Sequence, residues 1–204
     1  MLLPALATQA ATTGSGKAAS ETREVSGFAA ISLSGGMDLV VRQGTREGVE
    51  VTADDNLLPL LQTVVEGSGD QRTLVIQWPR GQTIRTRAKT VVTVDVVKLT
   101  AVAASGSGDI SVEALKTPAL TLSISGSSDA RLMKLDTEQL RVSISGSGDV
   151  AANGRAAKLG LSIAGSGALR ARELAADDVD ISIAGSGNAD VQAAKTLAVA
   201  IAGS

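Results

Sequence analysis

Ser105-Gly-Ser-Gly-Asp109 returns as Ser125-Gly-Ser-Ser-Asp129, Ser145-Gly-Ser-Gly-Asp149, Ala164-Gly-Ser-Gly-Ala168 and Ala184-Gly-Ser-Gly-Asn188. The first glycines, Gly106, Gly126, Gly146, Gly165, Gly185 and Gly203, stand 20, 20, 19, 20 and 18 residues apart. A period of this length is the mark of a stacked repeat. Each corner follows a segment of one pattern: Leu120-Thr-Leu-Ser-Ile124, Leu140-Arg-Val-Ser-Ile144, Leu159-Gly-Leu-Ser-Ile163, Val179-Asp-Ile-Ser-Ile183 and Leu197-Ala-Val-Ala-Ile201. Apolar residues alternate with polar or small ones, the two-residue period of a half-buried strand.

The alternation assigns Leu120, Leu122, Ile124, Ala130 and Leu132 to an inward face, with Leu140, Val142, Ile144, Val150 and Ala152 above them. One coil cannot bury such a face alone, whereas stacked coils line a continuous core with main-chain hydrogen bonds between them. Parallel strands need crossovers, which are right-handed as a rule. The expected fold is all-β, a right-handed parallel β-helix of ~20-residue coils. Glycine suits the corners because a tight bend places residues at positive φ.

Outward from the repeat, the chain divides into residues 1–20, a leader or disordered tail; 21–97, an irregular head; and 98–204, the regular coils. Met1-Leu-Leu-Pro-Ala-Leu-Ala7 followed by small polar residues reads as a clipped secretory signal, although no basic segment precedes it. Ala30-Ile-Ser-Leu-Ser-Gly-Gly-Met-Asp38 aligns without a gap on Arg141 to Asp149, an earlier copy of the corner. Thr63–Glu66 and Thr73–Gln77 flank Gly67-Ser-Gly-Asp-Gln-Arg72 as a hairpin. Asp54 to Leu61 is the one short helix, with Asp or Asn as its cap and Pro59 in its first turn.

Composition removes whole classes of function. The 204 residues carry a formal charge of -2, no histidine and no cysteine. Nucleic acid lacks its electrostatic footprint, and disulfides, zinc, haem ligation and imidazole proton shuttles are excluded. No apolar run is long enough to span a bilayer. One Trp, one Phe and no Tyr give no stacking platforms for sugars or unpaired bases. Ser107, Ser147, Ser166 and Ser186 sit beside glycines, but no histidine can activate them.

Several stretches together resemble a bacterial family of auto-transporter adhesins with a head GIN domain: Val25-Ser-Gly-Phe28, Ile31 to Asp38, Gln43-Gly44, Ala53-Asp-Asp-Asn-Leu-Leu-Pro59, Thr73-Leu-Val-Ile76 and the serial corners. The resemblance runs from Val25 to the end. It implies an exported envelope protein with a β-helical body and carries over no catalytic residue. The chain departs from the pattern where corner Asp gives way to Ala168 and Asn188.

The expected function is that of a non-enzymatic exported protein, periplasmic or on the outer surface of a bacterium, presenting an adhesin-like interaction surface to a protein or surface glycan. The rivals are a carbohydrate-active enzyme on the same scaffold and a structural protein that self-assembles end to end. No cofactor is expected. Asp109, Asp129 and Asp149 repeat at one position and are the candidate Ca²⁺ ligands, hard oxygens that suit this ion. The alternative reading, corner carboxylates bonding local backbone, is preferred because Ala168 and Asn188 interrupt the row. Asp177-Asp178-Val-Asp180, the densest acidic cluster, is read as a turn. Leu197, Val199 and Ile201 form an open coil end, expected either to continue into further coils of a longer protein or to dock onto a partner such as a second copy.

Overall fold

The structure is a computed structural model that describes residues 11–69 and 72–203. The leader reading of the first ten residues, and Asp70 and Gln71 of the hairpin turn, lie outside the described residues. The head carries β1 (Thr12–Thr13), β2 (Ala18–Arg23), β3 (Ala30–Gly35), β4 (Asp38–Gln43), β5 (Gly48–Asp54), β6 (Gln62–Glu66), β7 (Thr73–Gln77), β8 (Ile84–Arg85) and β9 (Val91–Val96). The body follows as β10 (Ala101–Gly106), β11 (Ile110–Gly126), β12 (Ala130–Gly146), β13 (Asp149–Gly165), β14 (Ala168–Gly185) and β15 (Asn188–Gly203).

Body strands pair in parallel, each with the next, so the chain is a β-helix whose coils follow one another from β10 to β15. Like residues stack on like: Ile124, Ile144, Ile163 and Ile183 stand in register, each at most 5% exposed. The 19-residue step is taken at Gly154, where β13 is one residue short opposite Leu132–Leu135 and a Cβ would lie 2.2 Å from the Leu135 carbonyl oxygen. Corner glycines are demanded in the same way. Gly146 has φ +129, and a Cβ there would lie 2.3 Å from the Gly126 carbonyl oxygen. Close approach of one coil to the next, as much as the bend, excludes a side chain at this position.

Space does not follow chain order in the head. β3 pairs with β10 in full register, Gly35 beside Gly106, across 71 residues of sequence. The corner at Gly35 is therefore the coil directly beneath the body. β7 and β9 lie beneath β3 and β4. Antiparallel strands close this end: β6 on β7, β5 on β9, and β2 on β5. Among the described residues, strand pairing already includes Thr12 and Thr13, inside the segment read as a tail, where β1 joins β8.

The helix expected over Asp54–Leu61 is a single 3₁₀ turn, Leu58–Leu60, preceded by Leu57 with no side-chain cap. Asp54 has another task. Its buried carboxylate accepts the N–H groups of Gly16 (2.6 Å), Arg87 (2.9 Å) and Ala88 (3.1 Å), tying the N-terminal segment and the 84–88 loop to β5. Burial alone would raise the carboxyl's pKa; these N–H donors outweigh it and hold the group below its ordinary 3.8. Nearby, Arg23 reaches under the turn to donate to the Leu61 and Leu58 carbonyls and to Thr63 Oγ1.

Candidate functional site

Three of the four corner carboxylates, those of Asp38, Asp129 and Asp149, are engaged with backbone. Asp38 Oδ1 accepts the N–H of Asp109 (3.1 Å), Asp129 Oδ1 that of Asp149 (2.9 Å), and Asp149 Oδ1 that of Ala168 (3.1 Å). Each carboxylate thus holds the corresponding residue of the neighbouring coil, and Asp149 also pairs with Arg170 at 2.9 Å. Asp109, Asp129 and Asp149 are brought into one column, but among the described residues no group of three or more acidic side chains converges on a common point.

A different part of the surface gathers charges that the fold does not use. Register aligns Thr121, Arg141, Gly160, Asp180 and Ala198 in one outward row, and Gln139, Lys158, Asp178 and Thr196 in the row beside it. Hollows of about 440 and 410 Å³ meet along the first row, sharing Arg141, Gly160 and Asp180. Asp178 accepts the Thr196 hydroxyl at 2.6 Å. Arg141, Lys158 and Asp180 form no ion pair among the described residues. Elsewhere on the coils some charges pair, Lys116 with Asp136 (3.0 Å), Arg172 with Asp190 (2.6 Å) and Lys195 with Asp177 (3.3 Å). Others, such as Arg131, Lys134, Glu138 and Arg155, also stand singly among the described residues; in the groove, charges of both signs line one hollow.

Gly160 shapes this groove. Unlike Gly154 in the same strand, it has room for a side chain: an added Cβ would meet only the Arg141 Cγ, at an ordinary 3.9 Å. A glycine inside a strand weakens it and leaves the backbone open to close approach by another group. Of the acidic cluster read as a turn, Asp178 and Asp180 line this groove, while Asp177 pairs with Lys195 outside it. Asp177, Asp178 and Asp180 lie within β14, because the corners of these coils remain in the hydrogen-bonded ladder. Sequence reasoning overlooked Gly160 although the signal was there, a glycine in Leu159-Gly-Leu-Ser-Ile163 where sister segments carry Thr121, Arg141 and Asp180.

The third surface is β15. It pairs with β14 on one side, and its core-position residues Leu197, Val199 and Ile201 are 56%, 52% and 62% exposed. They line one hollow with Ile181, Ile183 and Val191. The outward positions between them, Ala198, Ala200 and Ala202, are uncharged. No helix among the described residues is long and apolar enough to cross a membrane.

Comparison with known proteins agrees with this architecture. Residues 27–204 match the family described as "Putative auto-transporter adhesin, head GIN domain". Among solved structures, a "putative adhesin" from Bacteroides fragilis superposes with a TM-score of 0.80 at 22% identity, covering 94% of this chain and 96% of that one. A "putative lipid binding protein" from Parabacteroides distasonis gives 0.72 at 20% identity, over 96% of this chain and 100% of that one. A "putative adhesin" from the same organism gives 0.65 at 23% identity, over 96% and 98%. At these identities the likeness is one of fold. No curated protein matches the chain.

Proposed function

Since the chain belongs to the head GIN domain family of auto-transporter adhesin-like proteins, we propose that it is a non-enzymatic protein of the bacterial envelope or outer surface that works by presenting the side of its β-helix to a protein or surface glycan. The observation that carries this reading is the outward groove over β12, β13 and β14, where Arg141, Lys158 and Asp180 are held in fixed rows and left without ion-pair partners among the described residues. Solenoids offer extended rigid surfaces of this kind for binding. The two relatives named as adhesins and the one named as a lipid-binding protein are consistent with recognition rather than turnover.

The test is retention of the labelled chain on intact bacterial cells and on purified envelope glycans. Saturable retention without release of new reducing ends is expected. The rival reading, a carbohydrate-active enzyme, would draw on Asp178 and Asp180, which share a hollow. Glycosidases place two carboxyls across an enclosed bond. Here Asp180 is exposed and the groove is open to solvent above its floor. Turnover that disappears in Asp178→Asn would overturn the non-enzymatic reading.

A second mode of contact rests on its own observation, the exposure of Leu197, Val199 and Ile201. An uncharged strand edge with open N–H and C=O groups pairs readily with another strand. The opposite end of the molecule is closed by antiparallel strands. Association through β15 would therefore join like ends in a closed pair and would not propagate as a filament.

A further inference from the structure

The notch above Gly160 has a specific chemistry, and the inference drawn from it rests on the interaction-surface reading above. Going along the stack, Arg141 stands on one side of the notch and Asp180 on the other, two coils apart, about 10 Å between backbones. Lys158 flanks the notch in its own coil, and Asp178 lies next to Asp180. Formal charges on these four side chains sum to zero, yet positive and negative are segregated along the axis. A purely anionic ligand would meet Asp178 and Asp180 with like charge, and a purely cationic one would meet Arg141 and Lys158 in the same way. Only a ligand that is itself neutral overall and segregated satisfies both walls.

The anion's nature follows from its partners. Arg offers a planar fork that matches phosphate or carboxylate, and a second cation beside it favours phosphate. The cation's nature follows from the carboxylates. A quaternary ammonium is held by aromatic faces, but Phe28 and Trp78, the chain's only aromatics, lie in the head at the other end. Carboxylates call instead for an ammonium with N–H groups to donate. We propose that this notch binds a phosphoethanolamine group, phosphate toward Arg141 and Lys158 and primary ammonium toward Asp180. The same chemistry occurs as a phospholipid headgroup and as a free or glycan-linked substituent.

Calorimetric titration of the full chain with glycerophosphoethanolamine, whose phosphodiester and ammonium charges cancel, tests it, with glycerophosphocholine and inorganic phosphate as comparison ligands. Glycerophosphoethanolamine should bind about tenfold or more tightly than either, since the competitors forfeit a charge-assisted hydrogen bond. Gly160→Val, which fills the notch, and Asp180→Asn should each weaken binding by about tenfold or more, on the same reasoning. Arg131→Ala, outside the groove, should change nothing. Gly160→Val should melt no lower than the native chain, so that lost binding reflects the notch and not the fold. Flotation with phosphatidylethanolamine vesicles, against pure phosphatidylcholine, separates the sources: binding to vesicles and soluble group marks the lipid, and binding to the soluble group alone marks the free or glycan-linked form.

Equal affinity for inorganic phosphate, undiminished binding by Gly160→Val, or no binding to any phosphoethanolamine probe would each overturn the assignment. If cells retain Gly160→Val as well as the native chain while no phosphoethanolamine binds, this assignment fails and the surface reading stands. If phosphoethanolamine binds but cells do not retain the native chain, the surface reading fails alone.

Discussion

Ile144 and Arg141 are three residues apart in β12 and face opposite ways, Ile144 into the core at 1% exposure and Arg141 into the groove. Ile144→Ala should cost about 2–4 kcal/mol from lost burial and a cavity between coils, and Arg141→Ala under about 0.5 kcal/mol, as for other exposed sites. Urea denaturation of both reads the difference, and equal losses would contradict the facing. Glycines divide by the same logic. Gly146→Ala forces a Cβ against the Gly126 carbonyl at positive φ and should cost more than about 2 kcal/mol. Gly160→Ala has room and should raise stability by about 0.5–1 kcal/mol. Asp54 predicts a pH dependence. Because its folded pKa lies below 3.8, its contribution is complete above that value and is lost as pH falls through the lower folded value. The stability gap between native chain and Asp54→Ala should be constant near neutrality and shrink below pH 3.8, as urea titrations at graded pH would record.

At the scale of elements, the carboxylates of Asp38, Asp129 and Asp149 act as staples between coils. Calcium and EDTA at millimolar levels should leave the melting temperature unchanged, since a ligand of the folded state must raise it once above its dissociation constant. A calcium-dependent rise abolished by Asp129→Ala would restore the metal reading. What the sequence disclosed and what it hid also separate at this scale. The alternation in Leu140-Arg-Val-Ser-Ile144 declares the core face because every coil repeats it and nothing distant is needed to interpret it. Asp54 was misread as a helix cap because its three donors are 33 to 38 residues away and arrive only with the fold. Asp177 to Asp180 looked like a turn because hydrophilic runs ordinarily are turns, whereas parallel coils keep such corners within the ladder. The groove depends on which residues stand above one another across β12, β13 and β14, and a one-residue deletion at Gly154 has to be located before Gly160 can be placed between Arg141 and Asp180.

The whole molecule is a regular body set on a head in which spatial order departs from chain order. Its closed and open ends differ, and light scattering should register this: any association of the native chain should stop at a pair and be abolished by Val199→Lys with Ile201→Lys without unfolding. Strict monomers at high concentration would contradict a contact through β15. The groove and the exposed edge of β15 both depend on one arrangement, coils in register with β3 directly beneath β10. The chain has no cysteine, so paired spin labels can be placed without background at Ser34 and Ala184, outward positions of one row, and in a second sample at Ser105 and Ala184. Five coil steps separate the first pair and four the second, so pulsed dipolar spectroscopy should find backbone separations of about 24 and about 19 Å, one step apart. If the coils instead followed chain order through the head, with the β7–β9 coil between β3 and β10, the first distance would be about 29 Å, and that result would contradict the fold on which the groove and its function are built.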